Sequence, residues 1–364
     1  MKLFSIENKD LFTVVTIFWI KISVKSKKLM QQKINNLELK EKMYLNNIEN
    51  LILKELKIRN IFIDEKINKH LIPFYENNIE ILKYDNENDI LYLNKENINF
   101  ITDTHYPWMI REVLCDNIYE IDKSLFKYNE YVVFDIGCNR GYATLFFASK
   151  DYCKSIYSFE LMEPTYQYAV KNAEFNPNLK DKIHLYNYGL GNKNETIECL
   201  YFPHRDGISS MKQDFITYYD PNELNNAKKI KSSIKKASET IKDIITKNNI
   251  KEKIIIKIDV EGAEYDIFNS LIDEYPELFE QVEIIIGDFH LGRQGIDKKL
   301  HNFGFIDIAP PKKINKKTSE FLFIKDQTRP DQTRPDLICI DYIYINNIIL
   351  INKLQVMPQY TIAA

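Results

Sequence analysis

Three stretches of the chain carry residue types at spacings that suit binding a charged ligand and moving a proton. The first is Asp135-Ile136-Gly137-Cys138-Asn139-Arg140-Gly141, which follows the apolar run Tyr131-Val132-Val133-Phe134. A glycine-bearing turn between a buried strand and a helix lets a ligand approach the backbone, because no Cβ stands in the way. The second is Glu160, at the end of the next apolar run, where an acidic side chain reaches the two hydroxyls of a ribose. The third is Lys257-Ile258-Asp259-Val260-Glu261-Gly262-Ala263-Glu264, whose carboxylates follow another buried strand. In an open α/β sheet, ligands sit at that carboxyl edge.

The first turn lacks the G-x-G-x-x-G spacing of a dinucleotide site, since Asn139 holds the second glycine position, and it lacks the Lys-Ser/Thr of a phosphate-cradling loop. D-x-G-x-N-x-G suits a ligand with an amino-acid group and a ribose but no pyrophosphate, such as S-adenosylmethionine. Asp135 would accept from its ammonium directly or through water. The candidate cofactor set is Asp135, Gly137, Asn139, Gly141 and Glu160, with Gly189 and Leu190 past the third strand.

The octapeptide at 257–264, with the DIGCNRG turn upstream and Asp288-Phe289-His290 downstream, resembles the FkbM-type S-adenosylmethionine-dependent methyltransferases over roughly residues 115–310. The resemblance implies methyl transfer to oxygen, commonly a sugar or polyketide hydroxyl. Asn172 and Asn176 match the family's spacing after the ribose-binding acid, which supports Glu160 in that role. The family usually has Pro directly after this acid. Here Leu161-Met162-Glu163 intervene before Pro164, so Glu163 stays an alternative.

A hydroxyl acceptor must lose its proton to a carboxylate or histidine within hydrogen-bond reach. Asp259 and His290 are the candidate bases, with Glu261 the third candidate catalytic residue. Alternatively, Asp259 or Glu261 holds a divalent cation that acidifies the acceptor, although the spacing does not call for a metal. Plainer roles exist: Glu261-Gly262 capping the next helix, and His290 and His184 serving structure alone. Ser209 and Ser210 lie in a loop suited to substrate contact.

The elements that must position these residues alternate strand and helix: strands at 131–135, 155–160, 183–186, 254–259 and 282–286, with helices at 142–149, 166–176 and 264–271. Such alternation means a doubly wound α/β sheet. Runs at 303–308 and 337–345, with no helical pattern between them, read as an antiparallel closing pair. The expected fold is therefore α/β: a Rossmann-like class I methyltransferase sheet, parallel strands plus a C-terminal antiparallel hairpin, with an N-terminal β/helical extension. The divisions are a short basic β segment (1–25), a helical and mixed extension (26–125), the methyltransferase domain (126–347) and a tail (348–364). Within the domain fall a Lys-rich helical insertion (222–250) and a loop with a tandem Asp-Gln-Thr-Arg-Pro repeat (311–336).

The chain has 364 residues, 45% hydrophobic and 28% charged, with a net charge of −3. That balance gives no basic excess to pull it onto nucleic acid by counterion release. Five cysteines without a C-x-x-C pair argue for reduced thiols in a cytoplasmic setting. The uncharged run Leu11–Ile20 is too short for a membrane span of ~20 residues and reads as a strand. The first sixty residues carry twelve Lys/Arg against six Asp/Glu, which leaves open a peripheral contact with an anionic membrane face. Their sequence resembles leader segments of bacterial enzymes that build surface polysaccharide. The expected partners are S-adenosylmethionine and a hydroxyl-bearing, carbohydrate acceptor. Two other readings compete: an NAD-dependent nucleotide-sugar oxidoreductase or epimerase, and a non-catalytic module that docks through an amphipathic helix at 26–60.

Overall fold

The computed structural model describes residues 3–8, 11–18, 37, 39–40, 74, 77–103, 108–203, 207, 209, 227–309 and 319–326. The chain divides into two compact units, residues 1–75 and 76–364. In the first, β1 (Leu3–Asn8) and β2 (Leu11–Phe18) form an antiparallel hairpin that closes with Asn8 opposite Leu11. Of the helical pattern at 26–60, all but Leu37, Leu39 and Lys40 lies outside the described residues.

The second unit opens with an antiparallel meander of β3 (Glu80–Asp85), β4 (Ile90–Lys95) and β5 (Ile98–Thr102). Alternation in Ile90-Leu91-Tyr92-Leu93 turns Leu91 and Leu93 into the core and Ile90 and Tyr92 toward the half-buried face. This part of the expected helical and mixed extension is therefore sheet, and it belongs to the same compact unit as the main sheet.

Among the described residues that sheet has seven strands: β6 (Tyr131–Ile136), β7 (Cys153–Phe159), β8 (Ile183–Tyr186), β12 (Lys253–Ile258), β13 (Val282–Phe289), β14 (Phe305–Asp307) and β15 (Ser319–Lys325), in the order β14-β15-β13-β12-β6-β7-β8. The stretch from β13 to β8 is parallel throughout, and β15 runs antiparallel to both β13 and β14. Helices α1 (Tyr142–Ala148), α2 (Glu163–Glu174), α3 (Ala237–Lys247), α4 (Glu264–Glu274) and α5 (Ile296–His301) connect the strands. Every residue of β6 is buried, as expected for a strand covered on both faces. Phe134, Ile256, Ile258, Phe268, Ile285 and Phe289 belong to one continuous core.

Two expectations need correction. The Lys-rich stretch at 222–250 is not helical throughout: Lys228–Lys236 is a strand, β11, paired antiparallel with β10 (Glu195–Tyr201) and parallel with β9 (Gly189–Gly191). Ile230, Ser232 and Ile234 repeat with period two while lysines occupy the exposed positions, and only from Ala237 does the pattern become helical. The closing hairpin pairs β14 with Ser319–Lys325, inside the span expected to be loop, and 337–345 lies outside the described residues.

Candidate active site

The acids and the histidine identified in the sequence stand at, or just past, the carboxyl ends of parallel strands. Asp135 closes β6, Glu160 follows β7, Asp259 follows β12 and His290 follows β13. The turn after β6 is held by Gly137 and Cys138, whose amides both donate to Phe159 O at 3.0 and 2.9 Å. At Gly137, with φ +82°, a Cβ would lie 2.0 Å from Asp259 O, so no other residue fits while β6 and β12 keep this approach.

The two acids expected to hold the cofactor differ. Asp135 is fully buried: Oδ2 accepts from Thr144 Oγ1 at 2.7 Å, and Oδ1 lies 3.1 Å from Lys257 Nζ. Lys257 also donates to Gly137 O at 2.6 Å. Burial works against the Lys257 charge, but Asp135 and Asp259 outweigh it and lift its pKa above the ordinary value. Asp135 is thus enclosed beneath the turn rather than presented to a ligand. Lys257 was quoted in the sequence but given no role, because its pairing with Asp135 across neighbouring strands leaves no trace in spacing.

Glu160 is also buried, but it stands on the ligand side of the turn. Its Oε2 accepts from Asn139 N at 2.9 Å and its Oε1 from Met162 N at 2.7 Å. Glu163 begins α2, is exposed, and accepts from Gln167 Nε2 at 3.0 Å, which takes it out of the turn. Leu190 is a buried core residue of β9, and a Cβ on Gly189 would crowd Leu161 and Ile234, so both residues serve packing here.

Asn172 and Asn176, noted in the sequence for their spacing after Glu160, make structural hydrogen bonds. Asn172 Oδ1 accepts from Ile101 N at 2.6 Å while its Nδ2 donates to Arg140 O at 2.8 Å. Asn176 Oδ1 accepts from Asn99 N at 2.8 Å, and its Nδ2 donates to Asn99 O at 2.5 Å. The pair fastens β5 to α2 and to the turn. Arg140 adds a buried ion pair with Asp103 at 2.7 Å and lies over the Tyr168 ring at 4.4 Å.

On the far side of Gly137 lies an acidic group around one imidazole. His290 Nδ1 is 2.7 Å from Glu264 Oε1, while its Nε2 lies 3.6 Å from Asp259 Oδ1 and 3.5 Å from Glu261 Oε2. Asp259 Oδ2 accepts from Tyr119 OH at 2.9 Å. Glu261 is held in the left-handed region at φ 53°, and Gly262 follows at φ 99°. Glu261 does not cap α4, which has no side-chain cap; Glu264 Oε1 accepts from Gly262 N at 3.1 Å and so braces the turn ahead of the helix. Burial, then Asp259, raises the Asp288 carboxyl; burial also raises that of Glu261. Burial opposes charge on His290, but Glu261, Glu264 and Asp259 hold its pKa well above the ordinary value.

Glu112, on the helical turn Arg111–Cys115, is pushed up to about 8 by burial and then by Asp259 and Asp288. Glu112, Tyr119 and the Glu264 clamp were missed in the sequence. They come from distant segments, and only the Glu264 spacing from Glu261 hinted at them. His184 stacks on Tyr157 with ring centroids 4.6 Å apart and is structural. Ser209 Oγ accepts from Phe202 N at 3.2 Å, and Ser210 lies outside the described residues. Cys115, Cys138, Cys153 and Cys199 are buried free thiols.

A parallel sheet closed by an antiparallel hairpin, with these turns at its carboxyl edge, defines the Rossmann-like methyltransferases, in place of the dinucleotide enzymes also considered. Residues 135–308 match the family described as Methyltransferase FkbM domain. Methyltransferase 1 of Beauveria bassiana (strain ARSEF 2860) is 25% identical over 220 residues, covering 55% of this chain and 84% of its own. Two solved structures are also similar. Methyltransferase FkbM from Methylobacillus flagellatus KT aligns with a TM-score of 0.34 at 12% identity, covering 55% of this chain and 45% of its own. A putative tRNA (m1A22) methyltransferase of Streptococcus pneumoniae, in complex with S-adenosyl-L-methionine, aligns at 0.32 and 17% identity over 58% of this chain and 77% of its own. The family match over residues 135–308 and the curated relative, itself a methyltransferase, both support an S-adenosylmethionine-dependent methyltransferase.

Proposed function

We propose that the protein transfers the methyl group of S-adenosylmethionine to a hydroxyl oxygen of a sugar, in a surface glycan or its precursor. The observation that carries this reading is the group formed by Asp259, Glu261, Glu264 and His290 at the ends of β12 and β13, beside the glycine turn. The sulfonium methyl is already an activated electrophile, so the protein must mainly align the acceptor oxygen with it and exclude water. A hydroxyl acceptor adds the need to remove a proton, and a carboxylate–imidazole cluster supplies that chemistry.

In the reaction the acceptor oxygen forms a bond to the methyl carbon as the carbon–sulfur bond breaks, and its electron pair returns to sulfur. The hydroxyl proton goes to Asp259 or His290. Glu160 takes the ribose hydroxyls, and Gly137, Asn139 and Gly141 shape the turn for the methionyl end. Asp135 acts through Lys257 and Thr144, holding that turn in place. The negative surroundings disfavour a phosphodiester and suit a neutral polyol, whose neighbouring hydroxyls pair with carboxylates.

No helix among the described residues is long and apolar enough to cross a membrane. We keep the cytoplasmic side of the membrane as the proposed place of action, on the basic N-terminal residues alone.

The test is to incubate purified protein with methyl-labelled S-adenosylmethionine and cell-envelope glycan from a deletion strain. Label on carbohydrate hydroxyls is expected. Label confined to nucleic acid or protein nitrogen would refute the acceptor class.

A further inference from the structure

We propose that Asp259, Glu261 and His290 form a divalent-cation site. It rests on the hydroxyl-transfer reading for its purpose but not for its existence. One ligand atom from each residue lies within 4.8 Å of the other two. The 3.5 and 3.6 Å from His290 Nε2 to Glu261 and Asp259 exceed the ordinary hydrogen-bond range of about 2.7–3.2 Å. They do match the separation of two ligands that share a tetrahedral cation at about 2.1 Å.

The surrounding groups are arranged as supports for such ligands. Glu264 accepts at His290 Nδ1 at 2.7 Å, which fixes the ring with Nε2 toward the two carboxylates. Tyr119 takes Asp259 Oδ2 at 2.9 Å, which leaves Oδ1 as the oxygen facing His290. A separate observation also points to a missing positive charge. Glu264 is fully buried, yet its Oε2 has no hydrogen-bond partner among the described residues, and the buried Asp288 Oδ1 beside the cluster has none either. Buried carboxylate oxygens are costly unless they are paired or face a metal.

Two carboxylates with one imidazole favour a borderline cation of the Mn²⁺ or Zn²⁺ type over Ca²⁺ or Mg²⁺. With three protein ligands, a position remains for the acceptor hydroxyl. The cation lowers the acidity barrier of that hydroxyl. Its proton leaves to solvent, and the oxygen then attacks the methyl carbon as the carbon–sulfur bond breaks toward sulfur. With the ion bound, Asp259 and His290 would be its ligands, and the proton-accepting role given to them for the metal-free site would pass to solvent.

The experiment is a Mn²⁺ titration of the full chain followed by electron paramagnetic resonance, with S-adenosylmethionine binding by calorimetry as the control for an intact fold. One bound Mn²⁺ per chain is expected, displaced by Zn²⁺. His290→Gln and Asp259→Asn should each weaken it at least about tenfold, and the positioning variant Glu264→Gln by about 10–100-fold. S-adenosylmethionine affinity should stay unchanged in all three. Absence of Mn²⁺ binding in protein that binds S-adenosylmethionine would overturn the site, as would weak binding that the variants leave untouched. Full methyl transfer after chelation would also overturn it while leaving the hydroxyl reading intact. Specific Mn²⁺ binding without transfer to any hydroxyl would keep the site and remove that reading.

Discussion

Replacing Lys257 by Met should destabilise the protein by about 3–5 kcal/mol, the usual cost of stripping one partner from a buried ion pair. The lysine side chain is 3% exposed and that of Asp135 0%, so water cannot take over when the ammonium is lost. Asp135 would keep the Thr144 hydroxyl on Oδ2, but Oδ1 would face an apolar chain, and Gly137 O would lose its donor. Met fills nearly the same volume, which separates the electrostatic loss from a packing loss.

The assay is urea unfolding followed by circular dichroism. At a slope of about 3 kcal/mol/M the midpoint should fall by roughly 1–1.7 M. Asp135→Asn combined with Lys257→Met should recover part of the loss, because the uncompensated charge is gone. Lys257 has a raised folded pKa, so its contribution is fully present below 10.5 and lost only as pH climbs through that higher value. The loss in the Met variant should therefore be the same at pH 6 and pH 8. A loss below about 1 kcal/mol, or one no smaller in the double variant, would refute the assignment of this pair as the support of the turn.

Gly137→Ala should abolish S-adenosylmethionine binding measured by calorimetry, because its Cβ would meet Asp259 O at 2.0 Å and displace β6 from β12. Glu160→Gln should weaken the cofactor by about 1.5–3 kcal/mol in the same measurement, the range for a hydrogen bond to a charged group. Glu112 has a carboxyl raised from 4.5 to about 8, so the folded state retains a proton that the unfolded state has lost across that window. Stability from this group is present at low pH and declines as pH rises from about 4.5 to about 8, and Glu112→Gln should flatten that part of a melting-temperature profile. Tyr119→Phe should lower kcat more than it alters S-adenosylmethionine affinity, since it releases Asp259 and leaves the cofactor side untouched.

Much of the central sheet was legible because a strand buried on both faces leaves a continuous apolar run, as in Tyr131–Ile136 and Lys253–Ile258. The turn with Gly137 was equally visible, since its residue types answer a local backbone demand. What escaped was set by partners far along the chain. Lys228–Lys236 looked helical by composition, and only its pairing with Glu195–Tyr201 makes it a strand. Ser319–Lys325 lies beside a Pro-rich repeat that biased the reading toward loop, though Phe321 and Phe323 pack into the core. In the site, Asp135 was legible from its place at a strand end, but its pairing with Lys257 and Thr144 left no trace in the spacing. Asn172 and Asn176 were noticed only for their spacing after Glu160, and that spacing carries no sign that their amides answer backbone groups of Asn99 and Ile101.

That fastening of the meander has a practical result for dissecting the chain. A fragment begun at residue 126, where the sequence alone would draw the border, would leave Arg140 without Asp103 and strip the amide oxygens of Asn172 and Asn176 of the Ile101 and Asn99 donors. Several enclosed polar groups would be orphaned together beside the turn that shapes the cofactor pocket. A fragment begun near Glu76, the start of the second compact unit, keeps these contacts, and shortening it past Asn99 should yield insoluble protein.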